Sequence, residues 1–310
     1  MIELVKHQYW KPAKALAYMS QIPDPKTKFE SLVALTEQLQ DKALLEHQTL
    51  QYAMQAAYSI QDKASRAWAL TALADKLPEA LPKALEAAHD IQREIPRVKA
   101  LTALVNRLTP ELLPRALEIA MASRYEEYRA GTLAALVDKL TPELLSKALV
   151  AARGLQNKEY RAQVLTALVD KLPEVLPEAL ETSQAIPSET LRAQALIALI
   201  GKLTPELLSK ALVAAQTIQD EYYRAKVLAV LVGRLSADFP EALETMQTIK
   251  NKKFRNKILK ALIDNLTPEL LSKTLETVQF IQNEALGSQI LVLIVNKLAP
   301  ELLPKALEVA

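Results

Sequence analysis

"LTPELLSKALVAA" occupies Leu140–Ala152 and returns unaltered at Leu203–Ala215, 63 residues later, and "LTPELLSK" opens a third copy at Leu266–Lys273. Aligned on its proline, the chain repeats at Pro78, Pro110, Pro142, Pro173, Pro205, Pro268 and Pro300, with Ser236 filling the gap, in steps of 31 or 32 residues. Self-similarity at this period marks an array of units that each bury an apolar face against the next. With the proline as position 1, positions 4, 8, 11 and 14 are apolar (Leu145, Leu149, Ala152, Leu155). So are positions 21, 24, 27, 28 and 31 (Ala162, Leu165, Leu168, Val169, Leu172). Both sets follow the three-and-four spacing of a helix face, so every repeat predicts two helices. The polar link Gln156–Glu159 is short, which makes the two helices antiparallel.

Helix starts are written into the same string. Thr141, Pro142 and Glu143 are an N-cap, an N1 proline and an acid near the helix N-terminus. Position 5 then holds Pro82, Pro114, Ser146, Pro177, Ser209, Pro240, Ser272 and Pro304. A proline there would break a helix running straight through, so "TPELL" reads as a short turn with the main helix beginning at position 5. Pro and Ser alternate from Pro114 onward, which makes the copied block a pair of repeats.

Composition narrows the class. Half of the 310 residues are hydrophobic, 5% are aromatic and five are glycine. So little glycine disfavours hairpins and phosphate-cradling loops, and an all-α chain follows. With no cysteine there is no disulfide and no thiolate metal site, as in a reducing compartment. Lys plus Arg is 38 against 36 for Asp plus Glu, so net charge exerts no strong pull on nucleic acid or lipid. The longest apolar run, Ile290–Val295, is far short of a membrane span, and the expected setting is the cytoplasm. The expected fold is one right-handed α-solenoid of about nine helix pairs over residues 1–310. Residues 1–46 form an irregular capping repeat, 47–299 the regular repeats, and 300–310 a lone half repeat that suggests a fragment of a longer chain. About seven extra residues, 41–48, lengthen the first inter-helix loop in this reading.

The pattern resembles the HEAT-like and TPR-like α-solenoid class across essentially the whole chain, on the helix-pair period and an arginine early in the second helix. That resemblance implies a curved rod that holds protein partners. "LTPE" with "LETVQ" (Leu275–Gln279) is also similar to the repeats of bacterial TAL-type DNA readers. Those need a glycine-bearing loop at the bases, whereas links such as Gln219–Tyr222 carry acids and no glycine pair.

The recurrent polar residue is arginine at position 20: Arg66, Arg97, Arg129, Arg161, Arg192, Arg224 and Arg255. It begins on the core-facing stripe near a helix N-terminus, a poor electrostatic home for a cation. The expectation is a structural ladder, each guanidinium reaching carbonyls at the end of the preceding helix or an acid on an adjacent unit. Aromatic residues precede it at Tyr128, Tyr160, Tyr223 and Phe254, expected to cover the helix junction. Bases at position 30 (Lys76, Arg107, Lys139, Lys171, Lys202, Arg234, Lys297) are expected as solvated end-charges.

Specificity belongs where the copies differ on an outward stripe, positions 22, 25 and 29 of the second helix. Position 22 gives the candidate binding residues Trp68, Lys99, Gln163, Gln194, Lys226 and Lys257. Trp68 leads, as tryptophan anchors interfaces. His7, His47 and His89 make no metal-ligand spacing, and no nucleophile motif or phosphate loop occurs. No catalytic residue, metal or cofactor is expected. The function expected is a non-catalytic protein-binding scaffold or sensor segment, its partner a protein or peptide. The alternatives are a nucleic-acid binder and an enzyme with a site in a concave groove. Self-association through the unpartnered helix Pro300–Ala310 is a further option.

Overall fold

The computed structural model describes residues 1–39, 43–231, 234, 249–264, 271, 284–295 and 297. Among them are seventeen α-helices and no strand, as the glycine-poor, leucine- and alanine-rich composition requires. The chain divides into two compact units, Met1–Leu155 and Gln156–Ala310. The expected lone helix at 300–310, with Pro240, Ser272 and Pro304, lies outside the described residues.

In the first unit, two short helices, Ile2–Lys6 and Pro12–Met19, precede Pro25–Thr36 and Ala43–Ser59. Most of the extra residues near the N-terminus are not loop, and 41 and 42 lie outside the described residues. Residues 43–48 are helical and lengthen Ala43–Ser59 to 17 residues. Then come Lys63–Leu73, Ala80–His89, Glu94–Leu104, Leu113–Met121, Glu126–Leu136 and Pro142–Arg153. Within this unit the second helices of successive repeats pack in order, Lys63–Leu73 on Glu94–Leu104 and that on Glu126–Leu136.

The second unit repeats this scheme. Its second helices are Lys158–Leu168, Glu189–Ile200, Glu221–Leu231, Lys252–Asp264 and Glu284–Val295, each packed against the next. The first helices Leu176–Gln184 and Pro205–Gln216 also meet.

The core follows the period. Leu70, Leu133, Leu165, Leu196, Leu228 and Leu259, all at position 24, have no exposed surface. Neither do Ala84, Ala116, Ala148, Ala179 and Ala211 at position 7, where the lack of a longer side chain lets neighbouring helices approach closely. Position 8 is less uniform, for Leu149 is only half-buried.

Position 5 decides how each repeat starts, and in part against expectation. Where it is serine, one helix runs unbroken from the N1 proline, Pro142–Arg153 and Pro205–Gln216. Leu145 and Leu208 then donate to Thr141 and Thr204 at 2.8 and 3.0 Å, a full α turn. Where it is Pro114 or Pro177, Pro110–Leu112 and Pro173–Val175 are separate 3-10 turns and the α-helix restarts at Leu113 or Leu176, whereas the helix containing Pro82 starts at Ala80 with no 3-10 helix before it. Pro114 and Pro177 have no N–H for the carbonyl four residues back, so the first turn tightens instead. Ser146→Pro is therefore expected to convert one start into the other. Its cost should fall well below the roughly 3 kcal/mol of a mid-helix proline. Thermal melts would check this, and a full mid-helix cost would show that the two starts are not interchangeable.

The threonine before the N1 proline also departs from expectation. Neither Thr141 nor Thr204 accepts a backbone N–H through its side chain. The N2 glutamate is the acceptor instead. The backbone N–H of Glu143 donates to its own carboxylate, with the Thr141 hydroxyl as second donor, and both hold its pKa down. Glu206 with Thr204 repeats this.

Candidate functional site

The polar chemistry of the chain concentrates where consecutive repeats meet. At position 20 the arginine lies on the first turn of the second helix and turns back toward the link before it. Arg129 Nη1 donates to the Ser123 carbonyl at 3.2 Å, Arg192 to Ile186 at 3.1 Å, Arg224 to Ile218 at 2.6 Å and Arg255 to Ile249 at 3.0 Å. In each case the acceptor is position 14, which the preceding helix leaves without an intrahelical donor. The acid partner sits on the arginine's own helix, not on an adjacent unit. Arg97 pairs with Glu94, Arg129 with Glu126 at 3.4 Å and Arg192 with Glu189 at 3.5 Å, all three residues apart. Arg66 and Arg161 occupy the same register on their helices, Lys63–Leu73 and Lys158–Leu168.

These position-17 glutamates also reach the next repeat. Glu189 accepts the backbone N–H groups of Gln219 and Asp220 at 2.7 and 2.8 Å. Glu94 accepts the Arg124 N–H at 3.2 Å and the Ser123 hydroxyl at 2.9 Å. Glu221 accepts the Asn251 N–H. Each such carboxylate therefore ties its own arginine, or its own helix, to the backbone of the following link. The Gln219 and Asp220 amides hold Glu189 below the usual carboxyl range. At Glu94 burial opposes the shift, but the Arg124 amide, Ser123 and Arg97 together outweigh it. Sequence reasoning missed position 17. The available signal was a glutamate three residues before the arginine in Glu94, Glu126, Glu189 and Glu221. Position 17 is instead lysine at Lys63, Lys158 and Lys252, and the link after Lys158 offers Pro187, which has no N–H.

A second set of bridges pairs several of the bases at position 30, expected as solvated end-charges, with acids of the preceding repeat, while Lys139 and Lys171 are exposed. Arg107 makes a bidentate pair with Asp75, at 2.6 and 2.9 Å. Lys202 meets Asp170 at 2.7 Å and Lys297 meets Asp264 at 2.8 Å. Position 29 of one repeat thus holds position 30 of the next. Hydrogen bonding from Arg107 and Lys297 lowers the pKa of Asp75 and Asp264. Where position 29 is Gly201, Arg234 turns to the backbone carbonyls of Gly201 and Leu203. These pairs are exposed, and each stabilises little on its own.

The outward stripe divides. Lys99, Gln163, Gln194 and Lys226 at position 22 are exposed. Trp68 is 69% exposed, at the rim of a shallow pocket formed with Lys26, Phe29, Glu30, Ile60 and Ala64. The Lys257 side chain lies outside those described. Position 25 does not belong to the stripe throughout: Thr71 is buried and donates to the Ala67 carbonyl at 2.7 Å. At position 29, Asp75, Asp170 and Asp264 are engaged in the bridges above, and Asp138 is exposed. The aromatic residues cluster with one another, Tyr125 edge-on to Tyr128 at 5.8 Å and Tyr222 to Tyr223 at 5.2 Å. Among the described residues no group of three His, Asp or Glu could hold a metal ion, and no helix is long and apolar enough to cross a membrane.

No protein-family model matches this chain, and no curated protein matches it. Among solved structures it is similar to Ton1535 from Thermococcus onnurineus NA1, at 17% identity over 84% of this chain and 96% of that one. The TM-score of 0.32 is too low for fold or function to be carried across.

Proposed function

We propose that this chain is a right-handed α-solenoid that works as a non-catalytic binding scaffold for a protein or peptide, in the cytoplasm. The observation that carries the reading is a contrast between neighbouring positions. The arginine at position 20 recurs and bonds the position-14 carbonyl of its own repeat, and the glutamates at position 17 bond the backbone of the next, whereas position 22, two residues from the arginine, faces outward and changes identity. A constant frame that displays a variable row of side chains is the arrangement of repeat proteins that recognise extended partners. The row mixes Trp68 with amides and lysines, a composition suited to polar peptide surface with one aromatic anchor.

A variant combining Trp68→Ala, Gln163→Ala, Gln194→Ala and Lys226→Ala tests it, with partner capture from the native cell as readout. Surface truncations of this kind usually shift stability by no more than about 0.5 kcal/mol, so the melting temperature should hold while captured partners are lost. The control is Val150→Ala with Val213→Ala, 68% and 57% exposed on the first helices. Partners kept by the stripe variant and lost by the control would place the surface on the first helices instead.

A further inference from the structure

One repeat junction breaks the charge rule of its neighbours. The second helices starting at Glu94, Glu126, Lys158, Glu189 and Glu221 each carry an acid in the first turn, the favourable sign for a helix N-terminus. Lys63–Leu73 has none there, but the Asp62 carboxylate caps it. Lys252–Asp264 carries no such acid, follows the neutral Asn251, and opens Lys-Lys-Phe-Arg. Lys250, Lys252 and Lys253 are exposed there, and none of the three has an ion-pair partner among the described residues. The preceding repeat adds an aromatic surface. Tyr222 is 44% exposed, packs against Phe254 at 5.8 Å, and carries the Lys226 ammonium 4.6 Å from its ring centroid.

Among the described residues, the acids of the preceding link and helix start are engaged with backbone. Asp220 accepts the Tyr222 and Tyr223 amides at 2.8 and 3.3 Å, and Glu221 accepts that of Asn251. Arg255 is turned inward to the Ile249 carbonyl. What faces solvent is therefore a group of ammonium ions around exposed ring surface, placed where positive charge at a helix N-terminus is unfavourable for folding.

We propose that Tyr222, Lys226, Lys250, Lys252, Lys253 and Phe254 form a docking site for a short acidic segment of a protein partner. The proposal rests on the scaffold reading above and names the charge of what one part of it takes. The extent of the patch selects a peptide over a polynucleotide. Position 18, Lys253 here, is Glu127 and Glu159 in earlier repeats, and among the described residues no other second helix opens with two consecutive lysines. A single strand of nucleic acid is held along a continuing basic groove, whereas a few carboxylates need only a local one. Tyr222 supplies an amphipathic contact for an apolar side chain among those carboxylates.

The test is fluorescence anisotropy with the full chain at near-physiological ionic strength. The probes are a short labelled polyglutamate, a polyglutamine of the same length and an oligothymidylate of matched charge. Polyglutamate should bind and polyglutamine should not. The triple variant Lys250→Gln, Lys252→Gln, Lys253→Gln should weaken polyglutamate at least about tenfold. Its melting temperature should hold or rise, because cations leave a helix N-terminus. No polyglutamate binding by the wild type, equal binding by the triple variant, or tighter binding of oligothymidylate would each overturn the proposal. The triple variant keeps every position-22 side chain. Its loss of polyglutamate therefore supports this patch whatever the fate of the wider stripe, and its retention overturns the patch alone.

Discussion

Leu165→Ala is expected to destabilise its repeat by about 2–5 kcal/mol, the range for truncating a buried leucine and leaving a cavity. Leu165 has no exposed surface, and its helix, Lys158–Leu168, packs against both Leu176–Gln184 and Glu189–Ile200. Two neighbouring helices wall the cavity, so little collapse can relieve it. Gln163→Ala, two residues away on the exposed face, should cost no more than about 0.5 kcal/mol. Urea titrations of both variants make the comparison. Contacts between nearest neighbours predict a separate early transition for the weakened repeat. One transition shifted as a whole would mean stronger coupling between repeats. A cost below about 1 kcal/mol would contradict the packing itself.

The second large effect belongs to Glu189. Glu189→Ala removes the acceptor of two backbone amides in the next repeat and the ion-pair partner of Arg192. The Glu189 side chain is 28% exposed and that of Arg192 15%, so water restores part of the loss. A cost of about 2 kcal/mol is expected, in the range for charge-assisted hydrogen bonds. Glu189→Gln keeps one oxygen acceptor and should cost less.

Acidity supplies a sharper test of the same contact. The Gln219 and Asp220 amides depress the Glu189 pKa below the ordinary 4.5. A carboxyl whose folded pKa is depressed contributes stability that is complete above its unfolded pKa and is lost as pH falls through the folded one. The gap in stability between wild type and Glu189→Gln should therefore hold at neutral pH and narrow below pH 4.5. A gap independent of pH would show that the charge of Glu189 is not what binds the next link.

Much of the architecture is legible in the residues taken one repeat at a time. Leu165, Leu168 and Ala162 announce a buried helix face by spacing alone, because the helical period places residues three and four apart on one side. The exposure of Gln163 and Gln194 follows from the same geometry. The position-20 arginine is legible as a residue needing acceptors, since its charge stands at the wrong end of a helix. Its carbonyl acceptor, six residues back, lies within the same helix–link–helix unit.

What the sequence by itself determined is thus helical content, the buried faces of the helices and the length of the repeat, all properties of separations within one helical pair. The tertiary structure decided which partner each polar group takes. Glu189 finds Gln219 thirty residues on, Lys202 finds Asp170 thirty-two residues back, and Thr71 turns inward while other residues at position 25 do not. It also decided that Ser146 continues a helix that Pro114 interrupts. These choices depend on the offset and rotation between neighbouring helix pairs. A periodic pattern repeats within each pair and carries no record of that geometry, so only the packed structure brings the atoms into range.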